Sequence, residues 1–339
     1  MNAIKLADNA RWPEALKKLT EGKKCYGPVV REGRRVLAEC KPAEAVLEGA
    51  RTVDPIKTLL VPVRDEVAKY PRSADAEPSS EQRVLLGARQ CDIAALRELD
   101  YSYLQAAAED PFYKARRQNT LIIGADCTEP YEVCHCTHYG SGPHVSSGAD
   151  IAVSRTRSGW LIEALTEFGE REVNVLGLPD APQAAIDERT KNREGVRQKL
   201  EAKVQGMGLP RAELLQELVI DERKEGVWDK FGDNCVECGA CNFICCTCHC
   251  FLLVDARDGE SCTRTKNWDS CLFKNFARVA GGANPRKWRS ERLRNRFLKK
   301  FDFFKTHIGK YACDGCGRCI EACAGKIDIR EVLRELVNG

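Results

Sequence analysis

The 339 residues predict an α+β chain in three parts: an α/β domain over 1–180, a helical linker over 181–232 and an all-helical domain over 233–339. Three observations carry this. Short apolar runs that stop at glycines fill the first part, as buried strands do. Polar, helix-favouring segments fill the second. Cysteines are unevenly spread: six lie before residue 137, none falls between 137 and 234, and thirteen follow.

The elements follow in chain order. Residues 1–22 have no apolar h-region and read as an amphipathic helix, not a signal peptide. Tyr26–Ala38 reads as strand–turn–strand around Glu32-Gly33. Arg83–Leu86 and Thr120–Ile123 are apolar runs ending near Gly87 and Gly124, with a short helix over Asp92–Leu99 after the first. Ile151–Arg155 and Trp160–Leu165 form a hairpin around Arg157-Ser158-Gly159. Ala181–Lys203 and Arg211–Lys230 are connecting helices, the second with Leu214, Leu215, Leu218 and Val219 on one face. Leu293–Phe304 and Ile329–Leu336 are helical in pattern.

Composition narrows the class. The chain is long enough for two domains, and a hydrophobic fraction of 43% is enough to bury a core. A net charge of +3 excludes a generally basic nucleic-acid binder. Nineteen cysteines suggest a disulfide framework only in a small secreted chain, and an odd number cannot pair completely. No apolar run approaches the ~20 residues of a membrane span. The expectation is a cytoplasmic protein whose cysteines are reduced and bound to metal.

Two runs of four cysteines share one spacing, Cys235-x2-Cys238-x2-Cys241-x3-Cys245 and Cys313-x2-Cys316-x2-Cys319-x3-Cys323. In the bacterial ferredoxin spacing, three close thiolates hold one [4Fe–4S] cube and the fourth ligates its neighbour. That rule assigns Cys235, Cys238, Cys241 and Cys323 to a first cluster, and Cys313, Cys316, Cys319 and Cys245 to a second. Gly239-Ala240 and Gly315 with Gly317 leave room for backbone N–H groups near the sulfurs. Cys246 and Ala324 stand where a proline usually follows the fourth cysteine, which bears on the cluster edge and not on ligation. The 67 residues between Cys245 and Cys313 favour an all-helical ferredoxin-like dicluster domain over the small compact ferredoxins.

Cys91, Cys127, Cys134 and Cys136 form another constellation. Cys91 and Cys127 each follow a strand, so parallel strands ending side by side would join them to Cys134-x-Cys136. A third [4Fe–4S] cluster, buried free thiols and a structural zinc site all suit such a set. Cys248, Cys250, Cys262 and Cys271 form a further pool that suits metal or sulfur packing beside the first cluster, and Cys25 and Cys40 read as structural. Of the five histidines, His135 and His249 adjoin candidate ligands without acid–base partners. No GxGxxG or GxxxxGK[ST] fingerprint is present, so no nucleotide site is recognised, and Gly281-Gly282-Ala283-Asn284-Pro285 is only a turn. Residues 286–310 carry ten Lys/Arg, two acids and interleaved aromatics. A nucleic-acid patch is one reading. An amphipathic helix with its basic face toward an acidic partner or toward negatively charged clusters is the favoured one.

GARQCDIAALRELD, DPFYKARRQNTLIIGADC, CHCTHYGSGP, CVECGACNFICCTCHCF, RTKNWDSCLFKNFARVAGGANPR and CDGCGRCIEACAGKIDI lie between residues 87 and 329. Their combination resembles the iron–sulfur β subunit of cytosolic NAD(P)-linked nickel–iron hydrogenases (sulfhydrogenases) and the A subunit of anaerobic sulfite reductase. The resemblance implies a non-catalytic electron-transfer subunit between a flavin/NAD(P)-binding subunit and a catalytic oxidoreductase subunit. That catalytic partner is a hydrogenase, a sulfite reductase or a heterodisulfide-reductase-like enzyme. The alternative is a reductase in its own right, with the N-terminal cluster or a bound flavin facing substrate.

Overall fold

Two strands of the first part bury almost every residue, which is why their sequences run apolar without alternation. They are β5 (Arg83–Ala88) and β6 (Thr120–Ala125), parallel neighbours covered on both faces. The computed structural model describes residues 4–71 and 77–338. With β1 (Lys5–Asp8), β2 (Lys24–Arg31), β3 (Arg34–Glu39), β7 (Ile151–Thr156) and β8 (Gly159–Ala164), they form a seven-stranded sheet of order β1-β8-β7-β6-β5-β2-β3. β2, β5, β6 and β7 are parallel, and antiparallel strands close both edges. Alternate side chains enter separate cores: Val84, Leu86, Leu121 and Ile123 on one face, Leu85 and Ile122 on the other.

The hairpins at Glu32-Gly33 and at 157–159 are present. The N-terminal helix is shorter than expected. It spans Trp12–Thr20, because Lys5–Asp8 pairs with β8 as an edge strand. Residues 1–3 of that expectation lie outside the described residues. The helix expected over Ala181–Lys203 spans Gln183–Gly206. The one expected over Arg211–Lys230 breaks at Asp221, which is extended and whose carboxylate accepts from the Arg223 N–H. The resulting helices, Leu215–Ile220 and Glu225–Asn234, are not a solvated linker. Leu215, Val219, Trp228 and Phe231 pack with Leu293, Phe297, Phe301, Val332 and Leu336 in a third core.

The 233–339 region is not all-helical. The insert between the two cysteine runs contains β9 (Phe251–Asp258) and β10 (Ser261–Trp268), a hairpin turning at Gly259-Glu260. β10 also pairs with β4 (Arg64–Tyr70), so a strand from the N-terminal part completes a three-stranded sheet of order β4-β10-β9. The Asp-Gly pair at 258–259, between β-favouring runs, is a hairpin signal, and the turn itself falls one residue further on. β9 is an edge strand, and Phe251, Leu252, Leu253 and Val254 on it are all exposed.

Candidate metal centres

The first run leaves the helix Glu225–Asn234, turns through Glu237 and Gly239 in the left-handed region, and enters the short helix Ala240–Phe243. Cys235, Cys238, Cys241 and Cys323 line one pocket, joined by Cys319. This is the set assigned to the first cluster. The Ile327 N–H donates to Cys323 Sγ at 3.2 Å. Burial pushes the Cys241 thiol up to about 12, although Arg296 beside it acts the other way. A thiol so placed favours a ligand role, since a bound iron supplies the positive charge its thiolate lacks.

The second run repeats the turn through Gly315 and Gly317, followed by the helix Arg318–Glu321. Cys313, Cys316, Cys319 and Cys245 converge in the interior, where each acts electrostatically on others of the set. Hydrogen bonding from Cys246, with Arg318 and Arg51 nearby, brings the Cys316 thiol down to about 6. Lys300 donates to Cys245 Sγ at 3.2 Å. Burial opposes its charge, but Cys245 and Cys248 outweigh that and raise its pKa.

The N-terminal set is also assembled. Cys91 follows β5, Cys127 follows β6, and the loop 130–136 brings Cys134 and Cys136 to them. All four line one pocket, together with Cys316. Burial raises the Cys134 thiol to about 11. Leu200, from the helix Gln183–Gly206, seals the set against Cys134 and Cys136.

Gly315 and Gly317 fit this loop tightly. A Cβ on Gly315 would stand 2.5 Å from the Cys136 nitrogen, and one on Gly317 would stand 2.5 Å from the Val133 side chain. The glycines thus let loop 133–136 approach the run, a role beyond access of N–H groups to sulfur. The His135 N–H donates to the Gly315 carbonyl at 2.8 Å.

Buried cations surround all three sets, and most were invisible in the sequence. Arg318, 1% exposed, pairs with Asp92 through both guanidinium nitrogens at 2.9 and 2.7 Å. Arg51 donates to the Cys316 carbonyl at 2.6 Å, and Arg89 to the Ala125 and Asp126 carbonyls. In the basic stretch, Arg292, Arg296 and Lys300 recur every fourth residue and face inward. Arg292 pairs with Glu237, and Arg296 reaches Asn242 Oδ1 at 2.9 Å. Arg292, Arg296 and Lys300 are therefore buried among the cysteine-bearing segments, while the other Lys/Arg of 286–310 are not fully buried.

The remaining cysteines divide. None of the nineteen forms a disulfide. Cys25 and Cys40 face each other across β2 and β3. Cys246 lies between Cys91, Cys316 and Asp314. Cys262 stands six residues up β10 from Trp268, roughly 20 Å away at strand rise, so it does not join Cys248, Cys250 and Cys271. Burial lowers His135 and His249 to about 4, so both rings are uncharged near neutrality.

Soft thiolates in fours, each set around its own space and backed by buried cations, fit iron–sulfur cubes. Residues 234–327 match the 4Fe-4S dicluster domain family, which makes this part of the chain an iron–sulfur domain. Sulfhydrogenase 2 subunit beta of Pyrococcus furiosus is 31% identical over 332 residues, covering 97% of this chain and 96% of the relative. The chain belongs to the sulfhydrogenase β-subunit family. Among the described residues, no helix is long and apolar enough to cross a membrane.

Proposed function

We propose that the chain relays single electrons between a flavin/NAD(P)-binding subunit and a catalytic oxidoreductase subunit, through three [4Fe–4S] clusters. Cys235, Cys238, Cys241 and Cys323 hold the first, Cys313, Cys316, Cys319 and Cys245 the second, and Cys91, Cys127, Cys134 and Cys136 the third. One observation carries this reading: the sets share walls. Cys319, from the second set, lines the first cavity, and Cys316, also from the second, lines the third. When bound, each cube takes up and gives up one electron at a time. The chain's own residues hold the cubes in register, exclude water from the second set and place Arg51, Arg318 and Lys300 against the added negative charge. Cytoplasmic placement follows from the expected reduced state of the thiolates.

The test uses the assembled complex. Cys238→Ala and Cys134→Ala should each lower iron by about four per chain and stop electron passage from NAD(P)H to the catalytic partner. Wild-type transfer in a correctly assembled Cys238→Ala complex would contradict the relay. Unchanged iron in Cys134→Ala would remove the third cluster.

One feature favours the second reading, a reductase in its own right. An open cleft flanked by Arg97, Arg117 and Lys310 reaches Cys313. Turnover of a natural substrate by the isolated chain, beyond artificial dyes, would favour it.

A further inference from the structure

Outside the twelve thiols of the three sets, Cys248, Cys250 and Cys271 share one neighbourhood. Two segments bring them there. Cys248 and Cys250 follow the first run, with His249 between them packed edge-on against Phe304 instead. Cys271 follows β10, where the Asp269 N–H donates to the Cys250 carbonyl at 2.9 Å and locks the segments together.

The side chain of Asn242, 3% exposed, spans two of these thiols. Its Nδ2 donates to Cys271 Sγ at 3.2 Å, and its Oδ1 lies 3.6 Å from Cys248 Sγ. Lys299 Nζ donates to Cys250 Sγ at 3.1 Å. Lys57, 2% exposed, donates to the Cys248 carbonyl at 3.1 Å and lies over the Trp268 ring. Cys248, Cys250, Asn242, Lys57 and Asp269 line a small pocket, and Cys271 reaches its wall through Asn242.

Neutral thiols do not explain this arrangement. A buried ammonium group needs a compensating charge; Lys299 donates to the Cys250 sulfur, and Lys57, held by the Cys248 and Phe243 carbonyls, brings a second positive charge beside the three thiols. Thiolates held by metal supply that charge. Among the described residues, no three His, Cys, Asp or Glu side chains converge as a single ion requires, and this holds for the three cluster sets as well. A cube spreads its thiolates around several iron atoms, so it suits these sulfurs better than tetrahedral zinc does.

We propose that Cys248, Cys250 and Cys271 hold a fourth iron–sulfur cluster, with Asp269 as the oxygen ligand available to its remaining iron. Asp269 is the only carboxylate among the residues lining the cavity. The site lies beside Cys245 of the second set. Asn242 and Arg296 separate it from Cys241 of the first, since Arg296 donates to both Asn242 Oδ1 and the Cys241 carbonyl. Its existence does not depend on the relay reading; only its use as a branch of the wire does.

The test measures iron, zinc and acid-labile sulfide per full-length chain after anaerobic purification, with EPR of the reduced protein. Cys250→Ala and Cys271→Ala should each lose about four irons and four sulfides, while Cys262→Ala loses none. Full iron in folded Cys250→Ala and Cys271→Ala overturns the proposal, as does loss of zinc in place of iron. If Cys134→Ala keeps its iron while Cys250→Ala loses it, the third set fails and the fourth stands. Lys299→Gln retains every thiol and guards against misfolded alanine variants. It should keep its iron and shift the EPR signal or midpoint potential of one centre. An unchanged spectrum and potential would overturn the proposal.

Discussion

At matched positions of the two cysteine runs, Glu237 and Gly315 both take the left-handed conformation, at φ +57° and +60°, and Gly239 and Gly317 follow at +71° and +73°. Each run then enters a four-residue helix. Around this shared backbone the surroundings diverge. In the first run Cys238 and Val236 are exposed. In the second, Cys316 is buried, and Arg318 reaches Asp92 where the first run has Ala240. Local spacing thus dictates the turn that grips a cube, while the flanking residues decide whether that cube faces a partner or the interior.

The comparison breaks most severely at the glycines. Gly317→Ala places a Cβ 2.5 Å from Val133, at a positive φ that alanine resists. It should separate loop 133–136 from the second run, read as loss of the N-terminal set's iron and a large fall in Tm. Arg318→Met strands Asp92 in the interior, and breaking a buried pair this way costs ~3–5 kcal/mol. Denaturant unfolding should show that loss for Arg318→Met, with the Arg318→Met/Asp92→Asn double variant recovering part of it. Val236→Asp, on the open side of the first run, should leave stability within ~0.5 kcal/mol while slowing electron exchange with the docked partner, measured by stopped flow. A slowed partner reaction would mark that side as the point of contact.

Legibility in the sequence followed the range of the interactions involved. The ferredoxin spacing and the strands β5 and β6 are local patterns, and they were read. So was the gathering of Cys91, Cys127, Cys134 and Cys136, because residues after neighbouring parallel strands end up side by side. The hairpin β9–β10 has an Asp-Gly signal next to its turn at Gly259-Glu260, weaker than the helical pattern of residues 293–304. Its pairing with β4, nearly two hundred residues earlier, has no local signature. The buried arginines were also out of reach. Arg51 and Arg318 look like surface residues in isolation, and only the docking of the second run against the N-terminal sheet gives them partners. Cys262 seemed to belong with Cys248, Cys250 and Cys271 because sequence proximity hides the length of a strand.

The strand β9 has a practical consequence. Among the described residues no strand pairs with its outer edge, which runs beside four exposed apolar side chains, Phe251, Leu252, Leu253 and Val254. Such an edge is a template for another strand. The chain expressed alone should therefore self-associate in a concentration-dependent way, and a lysine at Leu252 should suppress this without disturbing the metal content. Work on the isolated subunit would gain from that change before any spectroscopy is attempted.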